Sequence, residues 1–512
     1  MATPQIREVP TELRPFSRAG ISRDEHGVPH YEGLPTSLLE MLQSHVSDRP
    51  DTEAVVELGG QRLTYRQLWD RAARVAGGLR AAGLQRGARV ALRHPAGADW
   101  VLAFWGTLMA GGIPVAINTR SAAPEVGFVV EDSDARIELS PQIPLPDAEP
   151  YVTGDLAGAD IAALFYTSGT TGQPKGVPTT HEAFLTNAEN IVRGPDIPRD
   201  IGAELRTLIC VPLFHVTGCN SQLIAATYLG GTSVIMPALD LPAMPTVLAR
   251  ERITLMVTVP AIYALLLGRS DLADADVSHV RWVGYGGAPI APSLVDALRS
   301  TFANAAVFNG YGMTETSSLT TVLPDRDALA HADSVGYAVP SVDIAVEPLG
   351  DDPTTGELLV RGANVTAGYW NRPEATAETI TDGWLHTGDV VRVDDAGRVH
   401  IIDRTKDIIN RGGENISSVE VENALATAPG VAEAAVVAVP DAVMGEKVGA
   451  VLFGGGPQIV IADVIAHCRE RLADFKVPQY VSVSDDPLPR NPAGKLLKAT
   501  LRKQVRWGPP LR

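Results

Sequence analysis

Between Thr167 and Gly176 the chain reads Thr-Ser-Gly-Thr-Thr-Gly-Gln-Pro-Lys-Gly. Small hydroxyls and glycines build little core, but they grip phosphate well. Glycine lets backbone N–H groups turn toward an anion with no Cβ in the way. Thr167, Ser168, Thr170 and Thr171 add hydroxyl donors, Gly169 and Gly172 supply the turns, and Lys175 adds a compact positive charge. The spacing is not that of a Walker loop, which needs Gly, four residues, then Gly-Lys-Ser/Thr. Here Pro174 precedes the lysine and Gly176 follows it. A second glycine-rich run, Gly284-Tyr-Gly-Gly-Ala-Pro289, is not a dinucleotide fingerprint, because Pro289 takes the third glycine position.

A grip of this kind has to be mounted on something rigid. Ile161-Ala-Ala-Leu-Phe165 reads as a buried strand, so the loop is expected to hang from a sheet edge. Upstream, Leu63-Thr-Tyr65 looks like an N-cap entry, followed by Leu68, Ala72, Val75, Ala76 and Leu79 at helical spacing. Short apolar strands then alternate with helical stretches as far as Trp282–Tyr285, which predicts an α/β, largely parallel architecture. From about residue 335 the texture changes to short strands separated by Gly/Asp turns, a small β-unit. After Arg404 it changes again, with a helix predicted over Ser418–Ala426, a strand over Ala434–Val439 and a helix over Asp463–Arg471. The expected division is 1–402, a hinge at 403–406, and 407–512.

The chain has 512 residues, 45% hydrophobic and 20% charged, which excludes wholesale disorder. Its net charge of −17 argues against non-specific nucleic-acid binding, so any site for a polyphosphate must be locally basic. Cys210, Cys219 and Cys468 show no metal-ligand spacing, and a reduced, cytoplasmic chain is expected. No signal peptide is visible. The apolar run Val101–Ile117 contains three glycines and Pro114, which fits a buried helix and strand better than a membrane span.

Six segments occur in a telling order: the loop at 167–176, Asn309-Gly-Tyr-Gly-Met-Thr-Glu315, Gly383-Trp-Leu-His-Thr-Gly-Asp389, Asp403-Arg-Thr-Lys-Asp407, Arg411-Gly-Gly-Glu-Asn415 and Pro489-Arg-Asn-Pro-Ala-Gly-Lys495. In this order and rough spacing the chain resembles the adenylate-forming superfamily of acyl- and aryl-CoA synthetases, adenylation domains and luciferases. The resemblance covers nearly the whole chain. It implies a large N-terminal domain, made of two α/β subdomains and a small β-barrel-like unit, followed by a small mobile α+β C-terminal domain. It also implies the chemistry, in which a carboxylate is activated as acyl-AMP at the expense of ATP and then passed to a thiol. Bringing anions together makes positioned cations and N–H dipoles the main catalytic need.

By the same resemblance, Glu315 is the Mg²⁺ ligand, with Thr170 as a second metal contact and Thr314 near the α-phosphate. A lone carboxylate suits Mg²⁺, which keeps most of its waters. Tyr311 would stack on adenine, with Gly287-Ala288-Pro289 packing on its other side and Asn309, Gly310, Gly312 and Ile401 around the nucleotide. Asp389 and Arg404 would hold the ribose, and Lys495 would bridge substrate carboxylate and α-phosphate. Lys406 takes the hinge position, and Arg411, Gly412, Gly413 and Glu414 would move in for the thioester step, where glycine can line a narrow pantetheine channel.

His215, in Phe214-His-Val-Thr-Gly218, is expected near the acyl carboxylate. The amino-acid-activating members carry an Asp near this segment; here there is none, which argues against an amino-acid substrate. The acid pocket is expected from His215, Val216, Cys219, Val259, Gly284, Tyr285, Gly286, Gly310, Met313 and Ser317, small and mostly apolar, suited to an aryl or medium-sized aliphatic or alicyclic acid. The favoured reading is an acid–CoA ligase using ATP, Mg²⁺ and CoA. The alternatives are a synthetase that passes the acyl group to an amine or a carrier-protein thiol, and a non-catalytic nucleotide-binding relative. The last is disfavoured because Lys175, Glu315, Asp389 and Lys495 are all present.

Overall fold

A computed structural model describes residues 6–167, 174–350, 352–411, 414–441, 443–454, 456, 459–490 and 496–511. Ser168, Gly169, Thr170, Thr171, Gly172, Gly412, Gly413 and Lys495 lie outside the described residues.

Among the described residues the N-terminal part holds two mainly parallel sheets, a larger antiparallel sheet and a two-stranded antiparallel ribbon of Ile21–Arg23 and Pro29–Tyr31. The largest sheet runs, edge to edge, through Tyr337–Ala338, Thr321–Leu323, Ala306–Tyr311, Trp282–Gly286, Leu255–Thr258, Arg206–Ile209, Thr232–Ile235, Glu53–Glu57 and Arg62–Thr64. Its inner strands are parallel, and both flanks end in antiparallel pairs. The second sheet runs Lys175–Thr180, Ile161–Thr167, Ile113–Ala116, Arg89–Leu92 and Ile137–Leu139.

Local chemistry explains how these strands are joined. Thr64 caps the helix Tyr65–Ala81 through a reciprocal box with Gln67, which ends the short hairpin and starts the helix in one step. The helix Ala98–Met109 is buried almost all round, and Trp100 stacks on Phe104 at 5.4 Å, so the apolar run is interior helix followed by strand. Among the described residues no helix is long and apolar enough to cross a membrane.

The β-unit is an antiparallel sheet of Arg7–Glu8, Val342–Pro348, Thr355–Gly362, Trp384–Val393 and Ile380–Thr381, with Val399–Arg404 on the Trp384–Val393 strand. Asp403 and Arg404 therefore belong to a strand, and the turn falls at Thr405–Asp407. Beyond it a five-stranded sheet and the helices Ser418–Ala426 and Ile461–Arg469 enclose a separate core around Ile409, Val421, Val448 and Val464.

Side chains fasten the two parts at this turn. Asp403 accepts the Ser418 N–H at the start of the helix Ser418–Ala426, and Ser417 Oγ donates to the Ile402 carbonyl at 2.8 Å. Arg502 donates to the Lys406 carbonyl at 2.9 Å and pairs with Asp407 at 2.5 Å.

Candidate active site

The strands Leu255–Thr258, Trp282–Gly286 and Ala306–Tyr311 run parallel and end together, the usual place for a ligand in an open α/β sheet. Close approach there depends on glycine. A Cβ on Gly286 would lie 2.2 Å from the Gly310 carbonyl oxygen, and one on Gly312 would lie 1.4 Å from that of Ser318. Gly287, Ala288 and Pro289 are exposed just past the Trp282–Gly286 strand end, and Tyr311 is half-buried at the end of the neighbouring strand. Asn309 is buried and donates to the Ser334 carbonyl at 3.3 Å.

Tyr311 reaches the β-unit. Its phenol donates to Asp389 Oδ2 at 2.6 Å, while Arg404 Nε stands 2.6 Å from Asp389 Oδ1. Antiparallel register explains the ion pair, since Arg404 lies directly opposite Asp389 and Ile401 opposite Val391. Burial and the Asp389 charge push the Tyr311 phenol well above its usual range, so it stays a donor. Asp389 is itself aimed from behind. Glu357 accepts the Gly388 N–H at 2.8 Å, and its other oxygen meets His386 Nδ1 at 3.2 Å. Glu347, Glu357 and His386 bring their donor atoms within 4.8 Å of one another. His386 already faces both acids, and Glu357 also holds the Gly388 N–H, so the trio reads as a hydrogen-bonded support for that turn.

At the other end, Thr167 and Lys175 lie directly opposite each other on adjacent antiparallel strands, at the edge of the second sheet. The strand Ile161–Thr167 packs beside Thr314–Thr316, which brings Glu315 to the same region. Glu315 is buried and its carboxylate accepts the Tyr369 O–H at 2.9 Å. Lys175 Nζ stands over the Tyr369 ring, 4.5 Å from its centroid. Among the described residues this buried carboxylate holds one neutral donor, on Oε1, which fits a site for Mg²⁺. Thr314 is half-buried beside it.

The turn after Glu315 is under backbone strain that its neighbours hold in place. Ser317 and Ser318 take φ of 54° and 116°. Asn220 Nδ2 donates to the Ser317 carbonyl at 3.0 Å, and the Ser221 and Ser318 hydroxyls meet at 2.6 Å. Asn364 Nδ2 donates to the Thr316 carbonyl at 2.8 Å. Asn220 and Ser221 sit on a π-helical turn, Cys219–Ile224, a departure common at functional sites.

The expected acid-pocket residues divide in two. His215, Val259, Gly286, Gly310 and Met313 keep some exposure near the strand ends. Val216, Cys219, Gly284, Tyr285 and Ser317 are buried. Cys219 packs in the large core, where burial raises its thiol well above the ordinary value, and Ser317 donates to the Asn364 carbonyl at 2.8 Å. Arg411 lies opposite Glu414 in a short hairpin of the C-terminal sheet, and Lys406 is exposed in the turn.

Tyr369, Asn364 and the Asp132–Arg372 pair were missed by the motif reading. Asp132 also accepts the Tyr166 O–H at 2.8 Å, one residue before Thr167 ends its strand. A signal existed: Gly-Tyr-Trp-Asn-Arg-Pro at 368–373 places two aromatics inside a turn-rich stretch that offers them no local core.

Comparison with known proteins matches the AMP-binding enzyme family over residues 42–150 and 139–370, and its C-terminal domain over 420–495. A feruloyl-CoA synthase of Amycolatopsis sp is 37% identical over 478 residues, 88% of this chain and 95% of that protein. The long-chain-fatty-acid–CoA ligase FadD13 of Mycobacterium tuberculosis is 34% identical over 501 residues, 91% of this chain and 97% of that protein. Among solved structures, o-succinylbenzoate CoA synthetase (MenE) from Bacillus subtilis in complex with its acyl-adenylate intermediate superposes with a TM-score of 0.84 at 30% identity, covering 91% of this chain and 98% of that one. The same enzyme in complex with ATP and a magnesium ion gives 0.81 at 29% identity, covering 90% and 99%.

Proposed function

The chain belongs to the AMP-binding enzyme family, and from that premise we propose that it is an ATP-dependent carboxylic acid–CoA ligase. A substrate carboxylate oxygen attacks the α-phosphorus of ATP, the bond to the β-phosphate oxygen breaks, and pyrophosphate leaves. The CoA sulfur then attacks the acyl carbon and AMP leaves, with the thiol proton lost to solvent. Mg²⁺, when bound, neutralises charge on the phosphates and keeps them in line.

The chain's own residues prepare that displacement. Tyr311 and Gly287–Pro289 would sandwich the adenine, while Asp389, braced by Arg404, accepts from the ribose hydroxyls. An acceptor-only carboxylate suits the two vicinal hydroxyls of a ribose. Glu315 would hold the metal, and Lys175 with the hydroxyls of 167–171 the departing pyrophosphate. Lys495 would bring charge to the reacting oxygens, and Arg411–Glu414 would replace it for the thioester step by rotation about Lys406. Holding both reactants in line could supply about 7–11 kcal/mol of the barrier.

The observation that carries the reading is the placement of Asp389 with Tyr311 and Arg404 at one end, and of Glu315 with Lys175 at the other, around the parallel strand ends. CoA is favoured over an amine or a carrier protein because the named relatives are CoA ligases and synthases. The acid is aryl or medium-sized aliphatic or alicyclic, since the pocket residues that keep exposure are small or apolar apart from His215. A cytoplasmic setting suits three unpaired thiols.

The test is an acid panel with ATP and Mg²⁺. Pyrophosphate release without CoA, followed by CoA-dependent thioester, is expected. Amide formation with added amine and no response to CoA favours the alternative acceptor, and no pyrophosphate with any acid overturns the activity.

A further inference from the structure

Tyr369 touches two charged groups that come from different motifs. Its O–H donates to Glu315 Oε1 at 2.9 Å, and its ring carries Lys175 Nζ at 4.5 Å from the centroid. Backbone holds it between them. The Trp370 N–H donates to the Gly176 carbonyl at 2.8 Å, one residue past Lys175. The Thr366 N–H donates to the Glu315 carbonyl at 2.8 Å, and the Thr366 hydroxyl to the Pro178 carbonyl at 3.1 Å. The segment 366–370 thus stitches the edge strand to the Glu315 turn, with one aromatic side chain at the seam. Among the described residues no ion pair joins Lys175 to Glu315.

An ammonium and a carboxylate on neighbouring elements of a half-buried site attract each other strongly. Once paired, they would have to be separated each time a phosphate and a metal arrived. A neutral O–H donor and an aromatic face hold the same two groups more weakly, so the O–H can stay on one Glu315 oxygen while the other meets a metal, and the ammonium can leave the ring for a phosphate. We propose that Tyr369 is a positioning residue for the adenylation step, holding Lys175 and Glu315 apart so that each meets its own part of Mg²⁺·ATP. This rests on the reading of Lys175 and Glu315 as phosphate and metal groups.

The test begins with Tyr369→Phe, which keeps the ring and removes the O–H. The purified full chain is titrated by calorimetry with Mn²⁺ in the presence of α,β-methylene-ATP. Apparent Mn²⁺ affinity is expected to fall about tenfold, the size of one charge-assisted hydrogen bond, while AMP affinity holds. In turnover the half-saturating Mg²⁺ rises to a similar degree and kcat at saturating Mg²⁺ changes by less than about twofold. Tyr369→Leu also removes the ring and further weakens binding of the ATP analogue. That extra loss should vanish in a Lys175→Met background, where no ammonium remains to be held.

Unchanged or tighter Mn²⁺ binding in Tyr369→Phe overturns the role of Tyr369, provided that Glu315→Gln still weakens it. Mn²⁺ binding that Glu315→Gln leaves intact overturns instead the assignment of Glu315 on which the inference rests.

Discussion

The two ends of the proposed nucleotide cleft use the same three kinds of group, a phenol, a cation and a carboxylate, in opposite ways. At the ribose end, Tyr311 and Arg404 both close on Asp389, each at 2.6 Å. At the phosphate end, Tyr369 bonds Glu315, but the cation stands on the ring instead of on the acid. The difference follows from what each end would bind. Ribose hydroxyls are neutral donors, so an acid can serve them while it stays paired with arginine, and the pair keeps it rigid. Phosphate and metal are charged, and an acid and a base that must meet them lose by pairing with each other first. A closed triad suits a neutral ligand and an open one suits a charged ligand.

The largest effect should come from outside both triads. Lys495→Ala is expected to cut acid-dependent pyrophosphate release by about 10³-fold, the upper range for one charge-stabilising donor. Thioester formation from supplied acyl-AMP should survive. Equal loss of both half-reactions, followed by pyrophosphate and thioester assays, would remove the two-step use of one cleft. Lys406→Pro should do the reverse.

Within the cleft, Glu315→Gln should lower kcat for pyrophosphate release by about 10²-fold and not be recovered by more ATP, because the metal it would hold meets phosphate charge that grows in the transition state. Asp389→Asn should mainly raise the KM for ATP, by about tenfold, since it touches groups that do not react. Steady-state kinetics over ATP and Mg²⁺ separate the two, and matching profiles would break the contrast. Arg404→Gln should have a smaller effect on KM, because Asp389 retains the Tyr311 donor.

The smallest effect on rate concerns the scaffold. His181 begins the helix after the strand Lys175–Thr180, is 1% exposed, and accepts the Leu38 N–H at 3.3 Å. Burial depresses its pKa to about 4. The unfolded chain, with an ordinary histidine near 6.5, then binds the extra proton first, so stability is complete above that value and falls as pH drops toward about 4. The shift corresponds to about 3 kcal/mol. Chemical denaturation from pH 7 to 4 should show this loss, and His181→Gln should flatten it without moving the KM for ATP.

Much of this molecule was legible in sequence. The cap at Thr64, the buried helix and strand within 101–117, the helix Ser418–Ala426 and the change of texture after residue 335 all come from local periodicity and turn chemistry. The misses share a cause. Glu357, Asn364 and Tyr369 act on residues 31 to 54 positions away, and only Tyr369, in its aromatic turn at 368–373, carries a local hint of it. Cys219 and Ser317 were expected to face the acid, but Cys219 packs in the core and Ser317 bonds Asn364.

By itself the sequence determined which groups the chain brings to the chemistry: the hydroxyl and glycine loop, the lone Glu315, the Asp389 and Arg404 pair and the basic Lys495. Residue type and short-range spacing carry that much, because a phosphate grip or a metal ligand is a local choice of atoms. Only the tertiary structure decided which charges may touch. Antiparallel register puts Arg404 on Asp389, whereas a segment returning from 366–370 puts a tyrosine between Lys175 and Glu315. Pairing between charges depends on distance in space, and that distance is set by strand order and chain return.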